Sequence, residues 1–394
     1  MQPDNLRQTS QICQQAKAQF DARGLPSAKD EAWIYTRLAD VTISPSEPQS
    51  AAADTSPATL IFSAGWLVSG GDNLPAGVSL TVIDSETKAF CDAASLLPDD
   101  HMLRDLGLGH ITGAYLIEIA DGAVIDTPIT LQFTDGVQTS SSHPFVIVRM
   151  GENSQFQMAE MHHGNAALSA PVMVFDIAAS AKLDHIKLQN DSLDSHHLAL
   201  SVMAVAEQAD INSFTLAYGG ALGRHETHIH LNGEHAQTAL SAIYLGRGQQ
   251  HQDVTSRMLH LVPNCQSSQI IRGVLDDEAR GVFQGKVLVA KDAQKTDGQQ
   301  MSRALLLSRK AEADAKPELE IFADDVVCSH GATVGEIDET HLFYLKSRGI
   351  AEADARNMLI EAFLLDGVES VRDEHLAAIL RNAIAAWMTE AARG

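Results

Sequence analysis

The sequence predicts a mainly β protein flanked by helical regions at both ends, and three observations carry that prediction. Beyond about residue 115, short apolar segments recur between turns. Few helical segments separate them, which argues against an alternating strand and helix fold. Both ends, by contrast, space their apolar residues with a helical period. The strand pattern alone permits a β-sandwich, a barrel or a β-helix. Gly, Asn, Asp and His at segment ends, together with the lack of hairpin-like pairs, lean toward a solenoid that buries an elongated core.

Taken in order, Ile12, Ala16 and Phe20 form a stripe that Gly24-Leu25-Pro26 ends, and a second short segment surrounds Trp33, Ile34 and Leu38. The bland role for both is to pack as a cap on the strand-rich part of the chain. Residues 44–57 are rich in Ser, Pro and Ala and read as a linker. Apolar runs follow at 59–62, 66–68 and 78–83, and 96–106 reads as helical. Strands are expected at 144–150, 155–161, 172–177, 185–188, 198–205, 214–218, 236–244, 270–274, 282–289 and 304–307. In 317–335, Leu319 and Ile321 alternate with Glu318 and Glu320 as on a half-wet strand. After Gly335 the helical period returns, and Leu376, Ile379, Leu380, Ala383, Ile384 and Trp387 make the last stripe, with Trp387 expected to pack on the solenoid.

Charge and composition exclude several function classes. The 394 residues carry a formal charge of -23, opposite to what nucleic acid or an anionic membrane surface requires. The opening Met1-Gln-Pro-Asp-Asn-Leu-Arg has no signal-peptide character and no apolar run reaches membrane-spanning length, so a cytoplasmic location is expected. Four scattered cysteines, Cys13, Cys91, Cys265 and Cys328, form neither a disulfide framework nor a CxxC metal motif. No Walker lysine or dinucleotide fingerprint is present, so no ATPase activity is expected of the isolated chain.

Two places offer ligand chemistry. In RHETHIH (224–230), a strand would put His228 and His230 on one face and His225 on the other. The bland alternative is a set of solvent-facing or stacked histidines with hydrogen-bonded neighbours. In 248–260 the bland, structural role is again expected; the Arg257 side chain could pair with Asp253, though no pattern in the sequence requires it. In DDVVCSHGATVG (324–335), an extended backbone puts the Cys328 thiol and the His330 ring on the same side, about 6.5 Å apart along the chain. Thiolate and imidazole suit Fe(II), Zn or an iron-sulfur centre.

That last run, KDAQKTDGQQMSRALLLS (291–308) and LFYLKSRGI (342–350) resemble the SufB/SufD family of iron-sulfur cluster assembly scaffolds. The likeness can be followed from about residue 142 to 363, and GLPSAKDEAWIYTRL (24–38) is similar to the opening of the SufD branch. CSHGATVG stands where SufB chains carry an EHEATTSK-like segment, and Gly298 replaces the more familiar alanine or serine after KTD. The resemblance implies a right-handed parallel β-helix core at 111–335, after an N-terminal helical and mixed region at 1–110. It also implies a C-terminal helical domain at 336–394 that docks the SufC ATPase, and pairing with SufB along the β-helix edge. His330, with Cys328 as the weaker candidate, would form half of a metal site shared with SufB, touching iron or a nascent cluster only transiently. A homodimer through the same edge is the expectation when SufB is absent. The alternative is a metal-dependent enzyme of an all-β fold using the His225 to His230 region, with His228, His230 and a third ligand.

Overall fold

The computed structural model describes residues 10–391 except 28, 39–40, 42, 46–57 and 135–136, so most of the expected linker at 44–57 and the first nine residues lie outside the described residues. Two sheets, of ten and eleven strands, stack into a β-solenoid. One contains Gln155–His162, Lys182–Gln189, Asp210–Ala217, Gln237–Gly246, Gln266–Leu275, Asp297–Leu306 and Val327–Gly335 as successive parallel neighbours. The other runs Pro144–Met150, Val172–Ile177, His196–Val205, Leu222–Leu231, His251–His260, Arg280–Val289 and Glu312–Ile321. The chain visits the two sheets alternately, so each strand is the crossover that its neighbours need. In the central coils the register advances 29 residues per turn, from Leu222 to His251 to Arg280.

One corner of the solenoid is a column of left-handed residues. Asn153, Ser180, Gln208, His235, Asn264 and Lys295 all have φ between 57° and 62°. Each of Asn153, Ser180 and Gln208 donates its backbone N–H to a carbonyl of the next coil, at Ala179, Glu207 and Glu234. The ladder offsets the cost of this conformation for residues with a Cβ. It also explains why segment ends are marked by Asn and His without any strict glycine repeat.

Several expected strands are longer than the sequence suggests. Residues 304–306 of the expected 304–307 are only the end of Asp297–Leu306, and His251–His260 is a strand without the expected apolar signal because its buried face carries polar groups such as Gln252, Ser256 and His260. Of the helix expected over 96–106, only the second half forms, as the start of α3 (Met102–Gly109); Leu96 is the last residue of a separate helix, α2 (Lys88–Leu96), and Pro98, which cannot continue a helix, lies between them. Helix α1 (Gln11–Arg23) starts at the Ser10 cap and buries Cys13, Ala16 and Phe20. It crosses α3 so closely that a Cβ on Gly109 would lie 2.8 Å from the Lys17 Cα.

The N-terminal segments were expected to pack as a cap on the strand-rich part, and Trp387 on the solenoid. Both terminal groups of helices cover its sheet faces. Helices α1 to α3 pack on Phe145, Ile147, Val172, Val174, Leu198 and Leu200 of the larger sheet. At the other terminus come α4 (Glu339–Ser347), α5 (Glu352–Val368) and α6 (Glu374–Ala391), and this group covers Ile186, Leu188, Phe214, Leu216, Ile243 and Leu245 of the smaller sheet. Trp387 is buried there, with the Arg247 guanidinium 3.5 Å from its ring centre. The physical reason is area: a sheet face exposes a row of apolar side chains from every coil, whereas an end exposes one.

The two ends differ. At the start, antiparallel pairs Thr59–Ser63 with Trp66–Ser69 and Val78–Ile83 with Gly113–Ile119 terminate the parallel run. At the finish, Glu312–Ile321 and Val327–Gly335 each pair on one side only among the described residues. Val327 is 68% exposed beside that open edge, and Ile321, Phe322 and Val334 are exposed with it.

Candidate functional site

Val327–Gly335 places Cys328 opposite Gly298 and His330 opposite Gln300. Two residues apart on a strand, Cys328 and His330 share a face, as the spacing predicts. Gln300 is buried with its amide 3.5 Å from Gln269 Oε1, so His330 continues an inward-facing row. No further coil follows among the described residues, and the ring is exposed. Cys328 is half-buried against the core, and burial pushes its thiol up from the ordinary value, aided by the charge of Asp297 and opposed by a backbone hydrogen bond at Gly298. Such a thiol stays protonated until a metal or a cationic neighbour arrives. Gly298 leaves room beside it, since a Cβ there would meet the Cys328 sulfur at 3.4 Å.

A second set of histidines lies between the sheets. The rings of Phe133 and His162 stack with centres 4.5 Å apart, His162 meets His197 at 4.8 Å, and His197 stacks on His225 at 4.9 Å. Glu160 accepts from His162 Nε2 at 3.1 Å and His185 Nε2 at 2.9 Å, and lies 3.1 Å from Lys187 Nζ. Burial alone would raise the Glu160 pKa; the Lys187 charge and the histidine hydrogen bonds outweigh it and hold the carboxyl well below its usual range. Asp191 is held down in the same sense: burial opposes, while the hydrogen bond and charge of His197, at 3.0 Å, prevail. The dipeptides at 162–163 and 196–197 each contribute one ring, His162 and His197, to this column. No sequence pattern exposes it, because the rings come from different coils and meet only once the register is set.

The third set lies on the outside of the larger sheet, beneath the N-terminal segment. Arg224, fully buried, donates from Nη2 to Glu226 at 2.8 Å, and from Nη1 to Asp253 at 2.7 Å and the Ala32 carbonyl at 3.0 Å. Its guanidinium sits 4.0 Å from the Trp33 ring centre. The other oxygen of Glu226 lies 2.9 Å from His101 Nε2 and 2.8 Å from His228 Nε2. Asp253 therefore pairs with Arg224, its register neighbour, and not with Arg257. Four residues along a strand span about 13 Å, too far for Asp253 and Arg257 to meet.

His228 and His230 were the expected pair for a metal enzyme, and the structure groups His228 differently. The residues that join it are Glu226 from its own strand and His101 from the N-cap of α3, whereas His230 is outside that group. Strand alternation identified the face correctly, but the third member, His101, comes from 125 residues away. His225 points the opposite way, into the interior column. No helix among the described residues is long and apolar enough to cross a membrane.

A family model described as the SUF system FeS cluster assembly SufBD core domain matches residues 132–363, from the first long parallel strands into α5. The iron-sulfur cluster assembly protein SufD of Escherichia coli is 32% identical over 381 residues, covering 92% of this chain and 89% of that protein. A SufBD family protein of Synechocystis sp. is 30% identical over 298 residues, 72% of this chain and 66% of its own length. SufD of Bacillus subtilis is 34% identical over a shorter stretch of 146 residues, 37% of this chain and 33% of that one. With a family match over most of the solenoid and full-length similarity to a SufD protein, the chain belongs to the SufB/SufD family of iron-sulfur cluster assembly proteins, on its SufD branch.

Proposed function

We propose that this chain is a non-catalytic scaffold subunit of a cytoplasmic SufBCD complex, pairing with SufB through the open solenoid edge and holding the SufC ATPase through the helices of residues 336–394. The observation that carries the reading is the last coil. It offers unpaired strand edges, exposed Val327 and Val334, and the inward row ending in Cys328 and His330 at one place. Unpaired strands are templates for another chain's strand. Docking at the helices is supported by Phe343, 73% exposed, and Tyr344, 56% exposed, on α4. The domain division follows the same logic: an N-terminal region at 1–110, the β-helix at 111–335 and the docking helices at 336–394.

In this reading iron and sulfide are cargo. His330 supplies an imidazole, Cys328 a thiol that releases its proton to solvent as the sulfur binds the arriving metal, and SufB supplies the remaining ligands. Two donors cannot enclose a cluster, so iron or a cluster is held only while the subunits face each other. Without SufB, the same edge pairs two copies of this chain. The test is co-purification with SufB and SufC, using the full chain and a version lacking residues 335–394. The full chain should retain both partners and the truncated one should lose SufC. Failure to bind either partner, or SufC binding untouched by the truncation, would sink the proposal.

A further inference from the structure

We propose that His101, Glu226 and His228 form a binding site for one borderline divalent transition metal, Zn(II) or Fe(II), that fastens the N-terminal helical region to the solenoid. The donor atoms His101 Nε2, Glu226 Oε1 and His228 Nε2 all lie within 4.8 Å of one another. Two imidazoles and a carboxylate are a donor set for both metals. The nitrogen to oxygen separations of 2.9 and 2.8 Å are already close to those between ligands around one small ion, so binding requires only a slight spreading of the three side chains.

The surroundings favour a cation. Glu226 and Asp253 are both buried, and both are bonded to the single guanidinium of Arg224. Arg257, opposite His228 in the register, bonds to neither carboxylate. Two carboxylates bonded to one guanidinium leave one excess negative charge among Glu226, Asp253 and Arg224. A divalent ion supplies the missing charge. Arg224 holds the far oxygen of Glu226 and fixes its orientation, the role that groups behind metal ligands commonly play. His101 is the rim, with 11% of its side chain exposed, and gives the ion a path in.

Coordination through Nε2 moves the ring proton to Nδ1, and the Nδ1 of His101 is buried without a hydrogen-bond partner. The site is therefore expected to bind more weakly than a closed structural zinc site. Its donors are remote in sequence from Cys328 and His330, so the two sites can be separated by mutation.

The full-length chain carrying Cys328→Ser and His330→Ala is washed with chelator and titrated anaerobically with Zn(II) and Fe(II). Bound metal is counted after dialysis, and the visible spectrum of the Co(II) form reports coordination. One equivalent is expected, with affinity falling at least about tenfold in His101→Ala and in Glu226→Gln. His101 lies at the rim, and circular dichroism of His101→Ala checks that the fold persists. Absence of saturable binding, or binding unchanged in folded His101→Ala, would overturn the proposal and leave the triad as a hydrogen-bonded strut.

Discussion

The guanidinium of Arg224 lies over the ring of Trp33 at 4.0 Å, joining the central strand of the larger sheet to a short N-terminal 3-10 turn, Glu31–Trp33, 191 residues earlier in the chain. Arg224 is also the only cation bonded to Glu226 and Asp253 among the described residues. Arg224→Ala should therefore cost about 3–5 kcal/mol, because it strands two buried carboxylates as well as removing contacts. Trp33→Ala should cost about 3 kcal/mol through lost packing and cation–π attraction while leaving the ion pairs in place. Urea denaturation of both variants tests the order; an Arg224→Ala protein as stable as wild type would contradict the role assigned to this network.

The His330 ring is exposed and makes no side-chain hydrogen bond among the described residues, so His330→Ala should change stability by no more than about 0.5 kcal/mol. Cluster delivery in cells should nevertheless fall, and Cys328→Ser should fall less. Wild-type delivery by folded His330→Ala would remove it from the proposed shared site.

Acid should unfold the protein through its interior histidines. Burial pushes His162 down to about 4 and His143 down to about 3, so both are neutral in the fold and charge readily when unfolded. A histidine with a lowered folded pKa contributes stability that is complete above about pH 6.5 and is lost as the pH falls toward the folded value. Between pH 6.5 and 5 each should cost on the order of 2 kcal/mol. The Glu160 carboxyl, held low by Lys187 and its histidine partners, adds a loss in the same direction at still lower pH. The urea midpoint should be flat above pH 7 and drop sharply by pH 5; a midpoint independent of pH over that interval would exclude this assignment.

Arg272 reaches from the solenoid to α5, donating to the Phe363 carbonyl at 2.7 Å and pairing with Asp366. Arg272→Ala should loosen α5 by about 1–2 kcal/mol, seen as faster amide exchange in 352–368 with little change in the central strands. Equal exchange in the two proteins would show that the apolar contacts of Leu364 and Ile360 suffice alone.

Much of the architecture was legible because it rests on local patterning. The strands at 144–150 and 172–177, the stripe from Ile12 to Phe20 and the packing of Trp387 all follow from which residues can be buried at a period of two or of 3.6. Polar strands such as His251–His260 escaped for the same reason, since their partners come from other coils and leave no local signal.

The sequence by itself determined the class of the protein, its family and the face on which each alternate residue lies. Only the tertiary structure decided who meets whom. Strand alternation put Glu226 and His228 side by side, but coil stacking brought Asp253 to Arg224 and the folding back of α3 brought His101 to Glu226. Those contacts span tens to more than a hundred residues, and no local propensity encodes them. They exist because two sheet faces, each too apolar to stay wet, draw the helices of opposite chain ends onto them.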